Sequence, residues 1–360
     1  MYRFSLTRSS GPRRFALDAK DLKIAIVGAT GLVGQIALNL LHERHHPAEN
    51  IVPMASSRSV GRRTDYGGED LEVIEATPEA FAGIDVAFIS ATKEVSVQLA
   101  PEAVKRGCLV IDDSAVFRME ESVPLVVPEV NAADVLEHQG IIAIPNCTTT
   151  PLVMVLAALL PLGIIKRVIV STYQAVSGAG ARALEMFEHQ LHGGSDIEGD
   201  PSSVFAFNTI PMIGALDQWG STSEEQKIRH ETAKILHREM SISATCVRVP
   251  VRVGHSEAVT IDFDAQSIFC NDVQGCLVRF PGIVVSDRPG IDKLPMPITA
   301  EGKPQVFVGR IRSNSYPGSI SLFLSCDNLL KGAALNALQI LDEVVARDCL
   351  KPQPKKKGRS

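Results

Sequence analysis

The sequence predicts an α/β protein in which an N-terminal domain built on a parallel sheet precedes an α+β domain with a mostly antiparallel sheet. Three observations support this prediction. The chain has 360 residues, and single hydrophobic cores rarely grow beyond about 250–300 residues. Apolar runs alternate with helical patterns in the first half, which is typical of a parallel sheet. The second half is dominated by strand-like runs rich in Val and Ile.

In the first half, strands and helices follow one another along the chain. Short apolar runs predict strands at residues 23–27, 50–55, 86–89, 109–111 and 141–146. Apolar residues at helical spacing predict helices at 34–43 and 95–105. The apolar run 152–160 lies between two prolines and falls short of the roughly 20 residues of a membrane span, so it predicts a buried helix.

The second half has a different pattern. Runs rich in β-branched residues predict strands at 168–173, 243–251, 258–264, 275–285, 306–313 and 319–325. Helical spacing is confined to 181–191, 223–236 and 329–345. Strands in succession with few helices between them favour a mostly antiparallel sheet that carries helices on one face.

Composition and charge exclude several classes of protein. Hydrophobic residues make up 45% of the chain and charged residues 21%, which excludes a disordered, collagen-like or coiled-coil chain. A net charge of −5 is a poor match to a non-specific nucleic-acid binder. The seven cysteines form no Cys-x-x-Cys pair, so neither a disulfide framework nor a zinc ribbon is indicated, and we expect no metal. Reduced thiols favour a cytoplasmic protein.

The two ends of the chain differ from the rest. Residues 1–22 are rich in Arg and Ser and poor in acids, which predicts a flexible N-terminal extension. The alternative is an organelle-targeting segment, since such segments have the same composition. Residues 348–360 form a basic tail rich in Pro and Lys.

A glycine-rich turn follows the first predicted strand and opens the first helix. It reads Gly28-Ala29-Thr30-Gly31-Leu32-Val33-Gly34. Glycines at such a turn let the backbone approach a diphosphate, which sits at the positive end of the helix. The spacing is G-x-x-G-x-x-G, but the placement between strand and helix supports a Rossmann-type dinucleotide-binding domain.

The residues after the second strand indicate which dinucleotide binds. An NAD-binding unit carries an acid there for the ribose hydroxyls, whereas this chain has Ser57, Arg58 and Ser59. A guanidinium flanked by hydroxyls suits a 2′-phosphate. The sequence therefore predicts NADP as the cofactor; the alternative is that Arg58 is a solvated loop residue.

Cys147 is the strongest nucleophile candidate among the cysteines. It follows a strand and precedes Thr148-Thr149-Thr150-Pro151, a plausible helix start. The positive end of a helix lowers a thiol pKa, so we expect a thiolate here. The neighbouring Asn146 can offer its amide to a substrate oxygen. Cys108 and Cys246 lie in apolar strands and are expected to be inert core residues.

His255 is the best acid/base partner for a thiolate. It follows Gly254 at the junction of two strands, where an imidazole could move a proton near pH 7; a structural role is the alternative. Arg248 and Arg252 have strand spacing that places them on one face, and an Arg aimed into a cleft is a fork for a carboxylate.

Three further polar residues are candidates. Gln174 follows a strand, and its amide could polarise a carbonyl; the alternative is a polar loop residue. Glu224 and Lys227 stand three apart on a predicted helix, so they share a face. They could hold a substrate amine and an anion, or form an ordinary surface pair.

These residues resemble one family closely, the aspartate-β-semialdehyde dehydrogenases, over about residues 22–341. The matching stretches are 28–34, 57–59, 117–119 with 123–131, 145–148, 171–180, 224–227, 246–257 and 327–336. Their order along the chain also matches the family.

The resemblance implies a role for each matching residue. Cys147 is similar to the family's nucleophile, His255 to its acid/base residue and Gln174 to the residue that positions the thioester. Arg248 resembles the ligand of the substrate carboxylate and Glu224 that of its amine. The resemblance further implies a phosphate site formed by Arg118, Lys227 and Asn146. It also implies an NADP site formed by the glycine turn together with Ser57, Arg58, Ser59, Ser177, Gly178 and Asn328.

The resemblance also implies how the chain is divided. The NADP-binding domain covers 23–146 and is completed by a C-terminal helix at 328–347. The catalytic and dimerisation domain covers 147–327. A homodimer, or a tetramer built from dimers, is implied, with small-molecule substrates and neither nucleic acid nor membrane as partner.

The implied reaction is the NADP-dependent reduction of L-4-aspartyl phosphate to L-aspartate-4-semialdehyde through a Cys147 thioester, in the biosynthesis of lysine, threonine, methionine, isoleucine and diaminopimelate. One alternative is an N-acetyl-γ-glutamyl-phosphate reductase, which Glu224 disfavours because it suits a free amine. Another is a non-catalytic NADP-binding homologue, and a third is a cysteine hydrolase, which leaves the glycine turn unexplained.

The chain departs from the family pattern at three places. Thr92-Lys93-Glu94 stand where the family has a glycine pair and a serine, close to the expected cofactor site. Asp113 and Ala115 replace the usual Asn and Ser, and a carboxylate near a phosphate site repels phosphate unless it is turned away. Thr148 replaces the commoner Ser, a mild change.

Overall fold

The structure is a computed structural model that describes residues 19–193, 201–287, 290 and 294–352. The extension predicted at 1–22 lies mostly outside the described residues, as does the basic tail from residue 353 onward. None of the described helices has the length and apolar character needed to cross a bilayer.

The first half of the chain forms a parallel sheet and a small hairpin. The strands are β1 (Ile24–Val27), β2 (Ile51–Ala55), β3 (Arg63–Tyr66), β4 (Glu69–Glu72), β5 (Ile74–Glu75), β6 (Val86–Ile89), β7 (Leu109–Asp112) and β8 (Ile141–Ala143). The sheet has the order β5-β2-β1-β6-β7-β8 with every pairing parallel, and β3 pairs with β4 alone. The predicted parallel domain is confirmed.

The second half forms a mixed sheet. Its strands are β9 (Ile165–Gln174), β10 (Ser241–Arg248), β11 (His255–Phe263), β12 (Ile283–Val285), β13 (Val306–Ser313) and β14 (Ser319–Cys326). The order is β10-β9-β11-β14-β13-β12. The three inner pairings are antiparallel, as predicted, whereas the outermost pairing on each edge is parallel.

The helices cover both faces of the first sheet and one face of the second. They are α1 (Leu32–Glu43), α2 (Lys93–Lys105), α3 (Pro128–Asn131), α4 (Thr149–Leu159), α5 (Ala181–Leu191), α6 (Ser223–Leu236), α7 (Cys270–Arg279), α8 (Pro297–Ala300) and α9 (Leu335–Ala346). A π-helical turn, Leu330–Ala334, leads into α9.

Strand β1 shows why the first sheet must be covered on both sides. Its four residues are all buried. Ile24 and Ile26 pack in a core with α1 and α9, while Ala25 and Val27 pack on the opposite face with α2. Successive strand side chains point to opposite faces, so a strand buried on both faces is apolar throughout. Helix α9 thus joins the first domain, although its sequence follows the second.

One predicted strand is partly a helix in the structure. Residues 275–285 were expected to form a strand, but α7 covers Cys270–Arg279 and only β12 is extended. The buried residues of α7 are Val273 and Leu277, and their separation of four positions matches about one turn of a helix. The apolar residues of two different elements lie next to each other in the sequence and imitate one long strand.

Candidate active site

Cys147 lies between the end of β8 and the start of α4, at the predicted position. The side chain is partly buried. The expected lowering of the thiol pKa is wrong for the resting site, because burial and then the Glu224 carboxylate raise the pKa of Cys147 to about 12. The guanidinium groups of Arg118 and Arg248 act in the opposite direction without compensating. Cys147 therefore rests as a thiol among the charges of Glu224, Arg118 and Arg248.

The neighbouring residue Asn146 is held by two glutamates of α6. Its backbone N–H donates to Glu231 Oε2 over 2.7 Å, and its Nδ2 donates to Glu224 Oε1 over 2.9 Å. Asn146 Oδ1 accepts from the backbone N–H of Thr148 over 2.9 Å and from the Thr148 hydroxyl. The Asn146 amide is thus fixed in orientation beside the cysteine.

Glu224 is a buried hub of polar contacts. Gln174 Nε2 donates to Glu224 Oε1 over 3.0 Å, and Lys227 Nζ approaches Oε2 at 2.9 Å. Burial alone would raise the pKa of Glu224, but Lys227 and the amide donors outweigh it and lower the pKa to about 2. Glu224 is therefore ionised, and it does pair with Lys227, but the glutamate end of the pair is buried rather than on the surface.

Helix α6 is positioned by its N-terminus. The Thr222 hydroxyl accepts from the Glu225 backbone and the Glu225 carboxylate accepts from the Thr222 backbone, which completes a capping box. Glu224, Lys227 and Glu231 follow at helical spacing, so one face of α6 carries three charged groups into the site.

Arg118 is buried and engaged by protein groups. Its Nη1 lies 3.1 Å from Glu231 Oε1, and its Nη2 donates to the backbone carbonyl of Asp113 over 2.8 Å. The Asp113 carboxylate lies 4.0 Å from the same Nη2. An anion that reaches this guanidinium would therefore have to compete with two acidic side chains.

His255 is fully buried at the start of β11. Its Nδ1 accepts a hydrogen bond of 3.0 Å from the backbone N–H of Ala175, so the neutral ring carries its proton on Nε2. Burial, and next the charge of Arg248, lower the pKa of His255 to about 3. The expectation of a ring that titrates near pH 7 is thus wrong for the resting site.

The space in front of His255 Nε2 depends on Gly178. This nitrogen is buried and makes no hydrogen bond within the described part of the chain. A Cβ atom at position 178 would lie 3.1 Å from His255 Nε2 and 3.0 Å from Arg248 Nη1. Glycine at 178 therefore leaves room beside both side chains.

The two arginines of the predicted pair separate. Strand β10 ends at Arg248, which is buried and donates from Nη1 to the Ala175 carbonyl over 2.7 Å. Arg252 lies beyond the strand, is exposed and pairs with Glu188 at 3.1 Å. The prediction that both share a face is wrong because strand spacing does not continue past residue 248.

The side chains of Ser177 and Asn328 contact each other. Asn328 Nδ2 lies 3.1 Å from Ser177 Oγ, and Asn328 Oδ1 accepts from the Gly254 backbone over 2.8 Å. Both side chains are buried. This contact places the predicted cofactor ligands Ser177, Gly178 and Asn328 beside His255.

The glycine turn has the geometry of a phosphate-binding turn. Gly28 has φ +91°, and a Cβ atom there would clash with the Ser90 carbonyl. A Cβ atom at Gly34 would clash with the backbone of Gly28 and would lie 2.9 Å from the Ala29 Cα. Helix α1 begins at Leu32, with Gly31 as its N-cap. Thr30 is exposed, and Leu32 and Val33 lie in the first turn of α1, where backbone N–H groups have no partner within the helix, so the residues fit a diphosphate.

Arg58 lies in a 3₁₀ turn, Ser57–Ser59, that directly follows β2. Its side chain is exposed and forms no hydrogen bond or ion pair with any residue that the structure describes. Thr92 caps α2, and Lys93 and Glu94 form the exposed first turn of that helix, after the carboxyl end of β6. The arrangement fits a negatively charged group of a dinucleotide at Arg58.

Family models match both halves of the chain. The semialdehyde dehydrogenase NAD-binding domain matches residues 23–138, and the semialdehyde dehydrogenase dimerisation domain matches residues 156–331. An aspartate-semialdehyde dehydrogenase of Bacillus subtilis is 43% identical over 338 residues, which are 90% of this chain and 98% of that protein. The chain belongs to the aspartate-semialdehyde dehydrogenase family. It is therefore an oxidoreductase with a Rossmann-type NAD(P)-binding domain.

Further members of the aspartate-semialdehyde dehydrogenase family agree. The enzyme of Aquifex aeolicus is 43% identical over 90% of this chain and 98% of its own length. The crystal structure of aspartate-semialdehyde dehydrogenase II of Vibrio cholerae complexed with ASA has a TM-score of 0.84 and 36% identity, covering 91% of this chain and 98% of that chain. The Candida albicans enzyme with NADP has a TM-score of 0.72 and 28% identity, covering 91% of this chain and 99% of that chain.

Sequence reasoning missed several residues of the site. Glu231 contacts both Asn146 and Arg118, and its position seven residues after Glu224 on α6 is a signal that helical spacing could have given. Ala175 acts through its backbone and carries no such signal. Gly332 lies against Cys147, which only the folded chain reveals.

Proposed function

We propose that the chain catalyses the reversible, NADP-dependent phosphorylating oxidation of L-aspartate-4-semialdehyde, and that its biosynthetic direction is the reduction of L-4-aspartyl phosphate. This reaction supplies the pathways to lysine, threonine, methionine, isoleucine and diaminopimelate. The observation that carries the proposal is the convergence of Arg118, Arg248 and Glu224 on Cys147, since each of these charges acts on the thiol.

The charges around Cys147 match the substrate. A carboxylate needs a cation, and Arg248 is a buried guanidinium near the thiol. A free ammonium group needs an anion, and Glu224 is a buried carboxylate that stays ionised. We infer that these two side chains hold the amino-acid end of the substrate and leave its reactive carbonyl at Cys147.

Cys147 is the proposed nucleophile. Its sulfur attacks the aldehyde carbon, and the carbonyl oxygen takes up a proton to give a thiohemiacetal. Oxidation of that adduct leaves an aspartyl thioester on Cys147, which phosphate then displaces as aspartyl phosphate. Covalent catalysis of this kind divides one difficult transfer into two easier steps. Gln174 is proposed to orient the acyl oxygen, because its amide is fixed by Glu224 and by the Thr172 hydroxyl at 3.0 Å.

His255 is proposed to act first as a hydrogen-bond donor. With Nδ1 occupied by the Ala175 N–H, the proton on Nε2 is available to the oxygen of the adduct. For His255 to act as a full acid/base residue, its Nδ1 must release the hydrogen bond from Ala175, or bound substrate must raise the pKa of the ring. His255 is therefore proposed as the hydrogen-bond donor to the adduct oxygen in the resting tautomer.

The phosphate and cofactor sites complete the proposal. Arg118, Lys227 and Asn146 are proposed to bind the phosphate group, which requires Arg118 and Lys227 to turn from their glutamate partners. The residues proposed to hold NADP are Gly28, Thr30, Gly31, Leu32, Val33 and Gly34, together with Ser57, Arg58, Ser59, Ser177, Gly178 and Asn328. NADP, when bound, supplies the hydride acceptor or donor. The match to a dimerisation domain supports a homodimer, or a tetramer built from dimers.

The test is a comparison of substrates in the oxidative direction. The protein is mixed with NADP⁺ and either L-aspartate-4-semialdehyde or N-acetyl-glutamate-5-semialdehyde, with and without phosphate. We expect NADP⁺ reduction that turns over only with phosphate, prefers the free amine and is lost in Cys147→Ala. Faster turnover of the acetylated substrate would reject the proposed substrate, and turnover that does not need phosphate would reject the proposed chemistry.

A further inference from the structure

Asp113 is a carboxylate inside the proposed phosphate site. It follows β7 and lies between two groups with separate roles. Its Oδ2 accepts a hydrogen bond of 3.1 Å from Ser90, whose backbone carbonyl lies against Gly28 of the glycine turn. Its Oδ1 lies 4.0 Å from Arg118 Nη2. The carboxylate is thus not turned away from the phosphate ligand.

The side chain of Asp113 is only 18% exposed, and the charged groups around it oppose one another. Arg118 favours the ionised carboxyl, as does the Ser90 hydroxyl. Asp112 of β7 and Glu231 of α6 disfavour a further negative charge. Cys147 also senses the charge of Asp113, so the carboxyl belongs to the same electrostatic unit as the nucleophile.

We propose that Asp113 competes with the phosphate group for Arg118, so that phosphate binds together with a proton on the Asp113 carboxyl. This inference rests on the proposed role of Arg118 as a phosphate ligand. The Arg118 guanidinium donates from Nη2 to the Asp113 carbonyl and pairs through Nη1 with Glu231, while its Nε has no partner among the described residues. A phosphate group that binds this guanidinium, after it turns from Glu231, would lie close to the Asp113 carboxylate, which repels it when ionised. Protonation of Asp113 removes the competing charge.

The pKa of Asp113 supports this linkage at physiological pH. Burial, opposed mainly by Arg118, raises the pKa to about 7. Below that pH the carboxyl is neutral and no longer competes with phosphate for Arg118. Above it the carboxyl is ionised and holds Arg118, so anion binding weakens as pH rises. If only the protonated form binds, affinity falls by about tenfold for each pH unit above the pKa.

Sulfate is the probe that isolates Asp113 from the titration of phosphate, because sulfate stays a dianion from about pH 6 to about pH 9. We measure sulfate as a competitive inhibitor against phosphate in the oxidative reaction over that range, for the intact protein and for Asp113→Asn. We expect the inhibition constant of the intact protein to rise at least about tenfold. In Asp113→Asn it stays nearly flat and sulfate binds more tightly at the alkaline end.

Three controls make the result decisive. Glu121→Gln removes an exposed carboxylate on the same loop and should keep the pH dependence of the intact protein. Asp113→Ser removes the same charge should Asp113→Asn fail to fold. Calorimetry of sulfate binding at about pH 8 in two buffers of different ionisation enthalpy should show uptake of close to one proton in the intact protein alone.

The inference is overturned if Asp113→Asn and the intact protein show the same dependence of sulfate inhibition on pH, or if sulfate binds without proton uptake. A protein that shows no phosphate dependence at all would instead overturn the proposed function. The two failures are therefore distinguishable.

Discussion

Gly332 lies directly against Cys147, and a Cβ atom at position 332 would stand 2.9 Å from the Cys147 Cβ and 3.3 Å from its Cα. Gly332 belongs to the π-helical turn Leu330–Ala334, and such turns are frequent at functional sites. The preceding residue, Lys331, is fully buried and pairs with Glu129 at 2.6 Å. The buried ion pair holds the turn that packs against Cys147.

A methyl group at position 332 should therefore displace Cys147. In Gly332→Ala we expect kcat to fall by at least about tenfold, because a misplacement of about 1 Å at a reacting atom is costly. The measurement is steady-state kinetics together with circular dichroism to confirm folding. The matched control is Gly275→Ala in α7, whose Cβ would meet only the flexible Arg279 side chain at 3.4 Å. An active Gly332→Ala would contradict the tight contact.

Glu224→Gln should make the Cys147 thiol more acidic. The Glu224 charge raises the pKa of Cys147, so its removal lowers that pKa and increases the thiolate fraction near neutral pH. We expect iodoacetamide to alkylate Cys147 faster in the variant than in the intact protein. The rate is measured by peptide mass spectrometry. Cys270 and Cys276 are partly exposed and serve as internal controls with unchanged rates. Slower alkylation of Cys147 would contradict the electrostatic account.

Glu257 predicts a pH-dependent loss of stability. The side chain is fully buried on β11 without a hydrogen-bond partner in the described chain, and burial raises its pKa well above the usual value. The unfolded chain releases this proton above about pH 4.3 while the folded chain keeps it, so stability falls as pH rises beyond that point. Glu257→Gln should match the intact protein in stability near pH 4 and exceed it near pH 8, because the glutamine releases no proton on unfolding.

Urea unfolding at the two pH values measures this difference. Glu121→Gln, an exposed glutamate, is the control and should show the same pH dependence as the intact protein. Equal stability of Glu257→Gln and the intact protein at both pH values would show that Glu257 is not held in its neutral form.

Arg58 should decide between NADP and NAD. The exposed guanidinium has no partner among the described residues, and the turn that carries it has no acid for the ribose hydroxyls. In Arg58→Ala we expect KM for NADP⁺ to rise by about tenfold or more, as for the loss of one charge-assisted contact, with KM for NAD⁺ nearly unchanged. An equal rise for both cofactors would place Arg58 at a group they share.

Local sequence patterns predicted the fold correctly where the residues concerned are contiguous in the chain. The glycine turn, β1 and α1 are contiguous, so the motif and its hydrophobic spacing describe one structural unit. Cys147 and its position before α4 were found in the same way. The strand predicted at 275–285 was wrong because apolar residues of α7 and of β12 follow one another closely in the sequence there. Hydrophobic spacing does not show where the helix ends and the strand begins.

The electrostatics of the site could not be predicted from spacing. Glu224 reaches Asn146 from 78 residues away, and Glu231 reaches Arg118 from 113 residues away. The Glu231 contact pairs Arg118, whereas burial and then the charge of Glu224 keep Cys147 in its thiol form. A pKa depends on burial and on the charges that the fold assembles, so helix position alone gave the wrong direction for Cys147.

We propose that Cys147 carries the acyl group, and this adduct can be trapped when phosphate is left out of the reaction. The protein is mixed with excess NADP⁺ and L-aspartate-4-semialdehyde without phosphate, and NADPH formation and protein mass are followed together. We predict a burst of about one NADPH per subunit and a thioester-linked aspartyl group on the Cys147 peptide, discharged by phosphate. NADPH formation without a covalent adduct on Cys147, or an adduct on another cysteine, would contradict the account.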